Sequence, residues 1–248
     1  MAAFTYRMGA GVPGDITRQS PATIESQIFD PNNAFASYGL FGKFASGKFI
    51  PVGSGDASAA VYGMLVRPNP ITGANGSDPL GTSVPPLSGI ANVLRRGYAN
   101  VKSNAGTPAL NGAVYIRVGN ASTGKPISGI EAAAENTIAS AAYAGNTGNG
   151  TLGTLSALTG AQPGAYNVAF VAATKFELYD PSGKFLGVGT TGTAFSSQVQ
   201  FTITAGATAF VAGDGFTVTV TANTIVVPNA IFMGAADASG NAEIAYNI

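Results

Sequence analysis

Residues 198–221, QVQFTITAGATAFVAGDGFTVTVT, contain two runs of strict alternation. Val199, Phe201 and Ile203 point one way while Gln200, Thr202 and Thr204 point the other; Phe216, Val218 and Val220 alternate with Thr217, Thr219 and Thr221. Period two means strand, with one face buried and one wet, and the spacing predicts a half-buried antiparallel hairpin. The wet face is built from threonine, a β-former without charge, so these strands hold little that would block pairing with a neighbour. Such a surface suits packing in an array.

Composition narrows the function from the other side. Charged residues are 10% of the 248 and the formal net charge is zero, against a usual share of about 25%. Nucleic-acid binding, which needs clustered Lys and Arg to release counterions, is not expected. Residues 1–118 carry nine basic and five acidic residues, a net +4, and the remainder a net −4, so a mildly basic first half could face a more acidic partner. The chain has no His, no Cys and no Trp. That removes the Ser-His-Asp triad, the Cys nucleophile, the Cys/His zinc site and any disulfide. MAAFTYRMGAG at the start has no apolar core of a signal peptide, and no apolar run reaches the roughly eighteen residues of a membrane helix, so a soluble, unexported chain is expected.

Outward from the decisive stretch, the rest of the chain also reads as β. Residues 1–35 contain three of the fourteen prolines and little periodicity, which predicts an extended arm. Gly47–Val52, Ala59–Arg67, Ala91–Lys102 and Gly112–Val118 are candidate strands, and Pro68–Leu87, with five prolines, a surface excursion. GIEAAAENTIASAA, residues 129–142, is rich in helix-favouring alanine. Glu131 and Glu135 would repel at i,i+4, however, and no hydrophobic stripe appears.

Several motifs mimic chemistry. Three segments fit G-x-G-x-x-G, beginning at Gly9, Gly148 and Gly187, but none precedes the helix whose N-terminus would meet a pyrophosphate. Gly119-Asn120-Ala121-Ser122-Thr123-Gly124-Lys125 has phosphate-loop spacing, yet Pro126 stands where a magnesium-binding hydroxyl belongs, and a β-hairpin loop is the better account. Ser122 and Lys125 also form an S-x-x-K without the helical turn it needs. Asp214 and Asp237 each offer one carboxylate where calcium sites gather several, so both read as turn formers. No catalytic residue, metal or cofactor is assigned.

Two resemblances then give these features a context. Gly164-Ala165-Tyr166, Tyr179-Asp180-Pro181-Ser182-Gly183, the run Gly187–Phe195 and FTITAGATAFVAGDGFTVTV resemble a module of head-decoration proteins of tailed bacteriophages, over roughly residues 146–221. Phe4-Thr5-Tyr6, Pro13-Gly14-Asp15-Ile16-Thr17-Arg18, Gly63–Arg67, Val93–Gly97 and Gly112–Arg117 resemble the phage structural cement protein family. The cement resemblance makes residues 129–142 a strand. Asn-Thr-Ile recurs at Asn136–Ile138 and Asn223–Ile225, on either side of the decoration-like module, and deleting what lies between leaves one continuous cement-like C-terminus.

The expected fold is therefore all-β. Residues 1–138 and 224–248 form a barrel or sandwich body with an arm over about 1–35, and residues 139–223 an inserted, small immunoglobulin-like β-sandwich. The resemblance implies a non-enzymatic virion protein on the outer surface of the capsid, clamping subunits of the phage major capsid protein. A homo-oligomer is expected, a trimer favoured and a dimer the alternative, with neither nucleic acid nor membrane as partner. Candidate interface residues are Phe4, Tyr6 and Ile16 as apolar anchors, with Arg7, Arg18, Arg95 and Arg96 as donors to acidic groups. Phe4 and Tyr6 packing on the chain's own body is the competing account. The rival class is a carbohydrate-binding or adhesin module, for which Tyr143, Tyr166 and Tyr179 are the tyrosines available and alternation buries Tyr166; an enzyme would need paired carboxylates across a cleft.

Overall fold

Alternating sequence becomes strand almost throughout the computed structural model, which describes residues 11–68 and 83–248. The first strands are β1 (Ile16–Ile28), β2 (Phe41–Ala45), β3 (Lys48–Pro51), β4 (Gly63–Val66), β5 (Ile90–Ala105), β6 (Ala113–Arg117) and β7 (Ile130–Glu131). Then follow β8 (Asn136–Ala142), β9 (Thr151–Ala157), β10 (Gly164–Ala172), β11 (Lys175–Tyr179), β12 (Phe185–Thr190), β13 (Ala194–Ser196), β14 (Val199–Thr204) and β15 (Gly215–Ala222), and finally β16 (Thr224–Phe232) and β17 (Asn241–Tyr246). The chain is all-β. It divides into two compact units: one ends at Ala134 and resumes over Thr224–Ile248, and the other is Glu135–Asn223.

In the first unit, the body, β5 organises everything. Its C-terminal half pairs with β17 and with β7, and the pairings run on through β6 and β16 back to β17, a closed circuit of five strands. Its N-terminal half pairs with β4 and β1, extending the sheet through β2 to β3. Phe29, just beyond β1, bridges to Phe49 of β3. Gly97 sits where β5 exchanges one set of partners for the other. Its φ is +142°, and a Cβ there would lie 3.2 Å from the Ala22 Cα, so only glycine fits the bend.

This arrangement buries both faces of the central strands. Met64 and Val66 of β4 and Leu94 of β5 pack into the main core with Phe41, Val101, Ile116, Phe232 and Ile244. Leu65 and Val93, pointing the other way, enter a second cluster with Phe29, Phe35, Tyr38 and Phe49. A strand buried on both faces reads as an unbroken apolar run, which is why Met64-Leu65-Val66 shows no alternation.

The second unit is a five-stranded sheet, β12-β11-β10-β15-β8, and a three-stranded one, β13-β14-β9. Here the predicted hairpin is corrected. β14 and β15 are not hydrogen-bonded to each other: β14 pairs with β13 and β9, and β15 with β10 and β8. Their apolar faces instead enter one core, where Val199, Phe201 and Ile203 join Phe216, Val218 and Val220. Both are interior strands, so their edges are not free for an array. The chain enters and leaves this unit side by side, since Ile138 pairs with Val220 and the Asn223 N–H donates to the Glu135 carbonyl at 2.9 Å. Within residues 129–142, Ile130–Glu131 and Asn136–Ala142 are strand, as β7 and β8, and no helix forms.

Candidate functional surface

Phe4, Tyr6 and Arg7 lie outside the described residues. The remaining candidates are mostly engaged with the body, and within the expected arm Ile16–Ile28 is extended as β1, paired with β5. Ile16 pairs with Ala99 and packs against the main core. Gly14 donates its N–H to the Asn100 carbonyl at 2.8 Å, and its own carbonyl accepts from Arg67 at 2.9 Å. Proline and scant periodicity signalled extended backbone correctly, but an extended segment satisfies its backbone groups most simply by joining a sheet.

The arginines are similarly engaged. Arg18 donates to both carboxylate oxygens of Glu243, at 3.2 and 3.1 Å, and its guanidinium lies 3.9 Å from the ring centre of Tyr98. The hydrogen bond to Glu243 raises its pKa further above the ordinary value. Arg95 stacks 3.6 Å over Tyr62 and comes within 3.7 Å of Glu25, to which the Tyr62 hydroxyl also donates. Its neighbour Arg96 faces the other way and is exposed. Ile16, Arg18 and Arg96 lie along the same β1–β5 ladder, at the rungs Ile16–Ala99, Arg18–Tyr98 and Thr23–Arg96, and both Arg18 and Arg96 are exposed, Arg18 within its ion pair to Glu243.

The chemical decoys resolve into turns. Ser122 and Lys125 exchange backbone hydrogen bonds at 2.9 and 3.2 Å, forming a tight hairpin. The carbonyls of Gly119 and Asn120 point at the Arg117 guanidinium, both at 3.1 Å, the opposite polarity to a phosphate cradle. In the Gly148 motif, the N–H groups of Thr147 and Gly148 are already taken by Asp214, both at 2.9 Å. Asp214 also accepts from Val211 at 3.0 Å. Burial pushes its pKa up, but the three backbone donors outweigh that and hold it below the ordinary 3.8. Asp180, which sequence reasoning placed only in a motif, is buried and accepts from the Ser182 hydroxyl at 2.6 Å and from the Ser182 and Lys184 N–H groups at 2.9 Å. The Ser182 hydroxyl is the main cause of its lowered pKa.

These two carboxylates set an acid limit on the second unit. A folded pKa below the unfolded one adds stability that is fully present above the unfolded value and is lost as pH falls through the folded value. The melting temperature of this unit is therefore expected to drop on acidification below 3.8. In Asp180→Asn and Asp214→Asn variants, followed by circular dichroism against pH, the drop should be shallower from a lower starting point.

Among the described residues no three His, Cys, Asp or Glu side chains gather as a metal site. Among the described residues the body has two sizeable surface depressions. One carries a single carboxylate, Asp15, and the other, lined by Tyr98, Ile231, Met233 and Asn247, carries none. In the second unit Tyr166 is buried with its hydroxyl donating to Gln198 at 2.7 Å, while the half-buried Tyr143 and Tyr179 donate to Asn167 and Glu177. All three hydroxyls are thus engaged within the unit.

The family described as XM1 gp53 minor capsid protein matches residues 1–172, more than half of the chain. No curated protein matches. Two crystal structures of Xanthomonas campestris FlgL are similar in part. One is 28% identical over 36% of this chain and 30% of its own, with a TM-score of 0.29, and the other 25% identical over 46% and 33%, with a TM-score of 0.30. The chain thus spans about a third of the length of either FlgL, and superpositions this poor carry no argument about the fold.

Proposed function

The chain belongs to the XM1 gp53 minor capsid protein family, and on that premise we propose that it is a cement or decoration protein, bound to the outer surface of the mature phage head and joining neighbouring major capsid subunits. The family match over residues 1–172 carries the reading, because it spans the body up to the insertion and continues into the second unit. The supporting physics is that of a binder. Two all-β units each have their own apolar core, the chain is only 10% charged, and among the described residues no three His, Cys, Asp or Glu side chains gather as a metal site.

Such a protein stabilises by mass action. It binds the assembled lattice and not the free subunit, so each occupied site gains RT ln(1 + [L]/Kd), about 2.7 kcal/mol at a hundredfold excess over Kd. Linked copies multiply the effect through effective concentration. In this reading the second unit is a decoration-type module inserted in a cement-type body, and capsid contact falls to Phe4, Tyr6, Arg7 and the exposed Arg96.

The structure sets the truncation that tests it. Removing residues 1–18 would delete the backbone pairing of Gly14 and the first residues of β1, so the informative variant lacks only residues 1–10. Added to heads prepared without it, the full protein is expected to saturate the outer surface, visible by cryo-electron microscopy, and to raise the temperature at which heads release their DNA. The variant lacking residues 1–10 and the Arg96→Glu variant should bind more weakly while melting normally. Heads that take up none of the protein, or are no more resistant with it, would refute the proposal.

A further inference from the structure

Strand alternation gives the closed circuit of the body an outer face as well as a core. Ala99, Val101, Ala242, Ile244 and Phe232 point inward, so their strand neighbours Tyr98, Lys102, Ala245, Ile231 and Met233 point outward. Tyr98, Ala245 and Ile231 form one row across β5, β17 and β16, since Ala245 pairs with both of the others. With Met233 and Asn247 they line a depression of about 440 Å³, in which Ile231 is 37% exposed. An apolar concavity left open to solvent is the form that a docking pocket takes.

The same strand carries cations that the body does not neutralise. Arg18, Lys43, Lys48, Arg67, Arg95 and Arg117 are each in an ion pair. Arg96 and Lys102 are exposed and form no ion pair among the described residues. Both belong to β5, one before Tyr98 and one after it, at most about 20 Å apart along the strand. The chain also enters the described structure here. The Gly11 carbonyl accepts from the Asn241 side chain at 3.1 Å, and Asn241 is the rung partner of Lys102. A Cβ on Gly11 would lie 2.3 Å from the side chain of Asn100, which stands between Tyr98 and Lys102. Phe4, Tyr6 and Arg7 are therefore tethered within a few residues of this face.

We infer that this face of β5, β17 and β16 is where the body docks on the head, and that its occupant is an extended acidic segment of the major capsid protein. A bulky apolar side chain of that segment seats on the row of Tyr98, Ala245 and Ile231, and carboxylates on either side of it meet Arg96 and Lys102. The inference rests on the cement reading and deepens it by naming the surface and the chemistry of its partner. An apolar centre within a charged rim is the anatomy of a protein–protein contact, and a few side chains at the centre carry most of its strength. A second copy of this chain has little charge to offer in return. Six of its acids are held in the ion pairs above, and Glu177, Asp180, Asp214 and Asp237 accept hydrogen bonds from their own neighbourhoods. The matching carboxylates come from another protein.

The test measures co-sedimentation of the full-length protein and its variants with heads prepared without it, alongside sedimentation equilibrium of the free protein. Ile231→Glu sets a carboxylate on the apolar row and should weaken binding about tenfold or more. Lys102→Glu should weaken it several-fold and flatten its dependence on salt. Val188→Glu, the same kind of change at a 55% exposed site of the second unit, should bind as the wild type does. All three side chains lie at the surface, so the thermal melts should be unchanged; if Ile231→Glu melts early, Lys102→Glu decides alone. A wild type that does not bind heads brings down the cement reading, and this inference with it. A wild type that binds, with a folded Ile231→Glu or Lys102→Glu binding equally well, overturns the inference alone. Self-association of the free protein that Ile231→Glu abolishes would make a second copy the occupant and overturn it too.

Discussion

Glu131→Ala is expected to destabilise the body by about 3–5 kcal/mol, the cost of leaving a buried charge without its partner. Arg117 and Glu131 are 0% and 1% exposed, and the guanidinium grips the carboxylate at 2.5 and 3.0 Å. The pair ties β6 to β7, whose backbones meet at Tyr115–Glu131 and Ile116–Ile130. Arg117 also pairs by backbone with Thr224, the first residue of β16. Alanine removes the carboxylate from a buried guanidinium whose other bonds include those to the neutral Gly119 and Asn120 carbonyls. For a unit of this size the loss is a drop in melting temperature on the order of 10 °C, readable by calorimetry. The double replacement Arg117→Met with Glu131→Leu should recover much of it, since apolar residues of similar volume need no desolvation of charge. A double variant as unstable as the single one would show that the pair contributes more than mutual neutralisation.

That pair also marks where sequence reading stops. Alternation identifies which side chains go inside, and it did so for Val199–Ile203 and Phe216–Val220. It does not say which strand lies alongside, because hydrogen-bonded neighbours and strands facing each other across a core have the same pattern. The ten residues 205–214 between β14 and β15 were the available signal, being longer than the two to five residues typical of a hairpin. They carry Phe210, which is buried and stacks 4.0 Å from Phe170, and Asp214, which closes the loop. An arginine between Ile116 and Val118 in an apolar strand was likewise a visible anomaly, but its acid lies beyond a turn. Arg18 could be picked out as a forked donor, whereas Glu243, its partner, lies at the far end of the chain. Pairings set by tertiary approach leave no local periodicity to read.

Phe176→Ala is expected to cost the second unit about 3–5 kcal/mol, the range for emptying a large aromatic site in a core. Phe176 is fully buried and its ring lies 5.6–5.8 Å from those of Phe170, Phe195 and Phe201, so it joins the two sheets. It also covers its cross-strand partner Gly189, where a Cβ would stand 2.1 Å from the Phe176 ring. The glycine makes room for the ring, and the ring shields the backbone that glycine leaves bare. Neighbours cannot close such a gap, because each of them is held by the same cluster. A unit of 89 residues, Glu135–Asn223, has a stability of roughly 4–13 kcal/mol, so the loss brings it close to unfolding. The cores of the two units share no residue. The variant should therefore show a second, lower thermal transition, with amide exchange accelerated over Glu135–Asn223 and unchanged in β5, β6 and β17. One transition shifted as a whole would mean that insert and body fold as a single cooperative unit, and the reading of the insert as a module added to a finished body would fall with it.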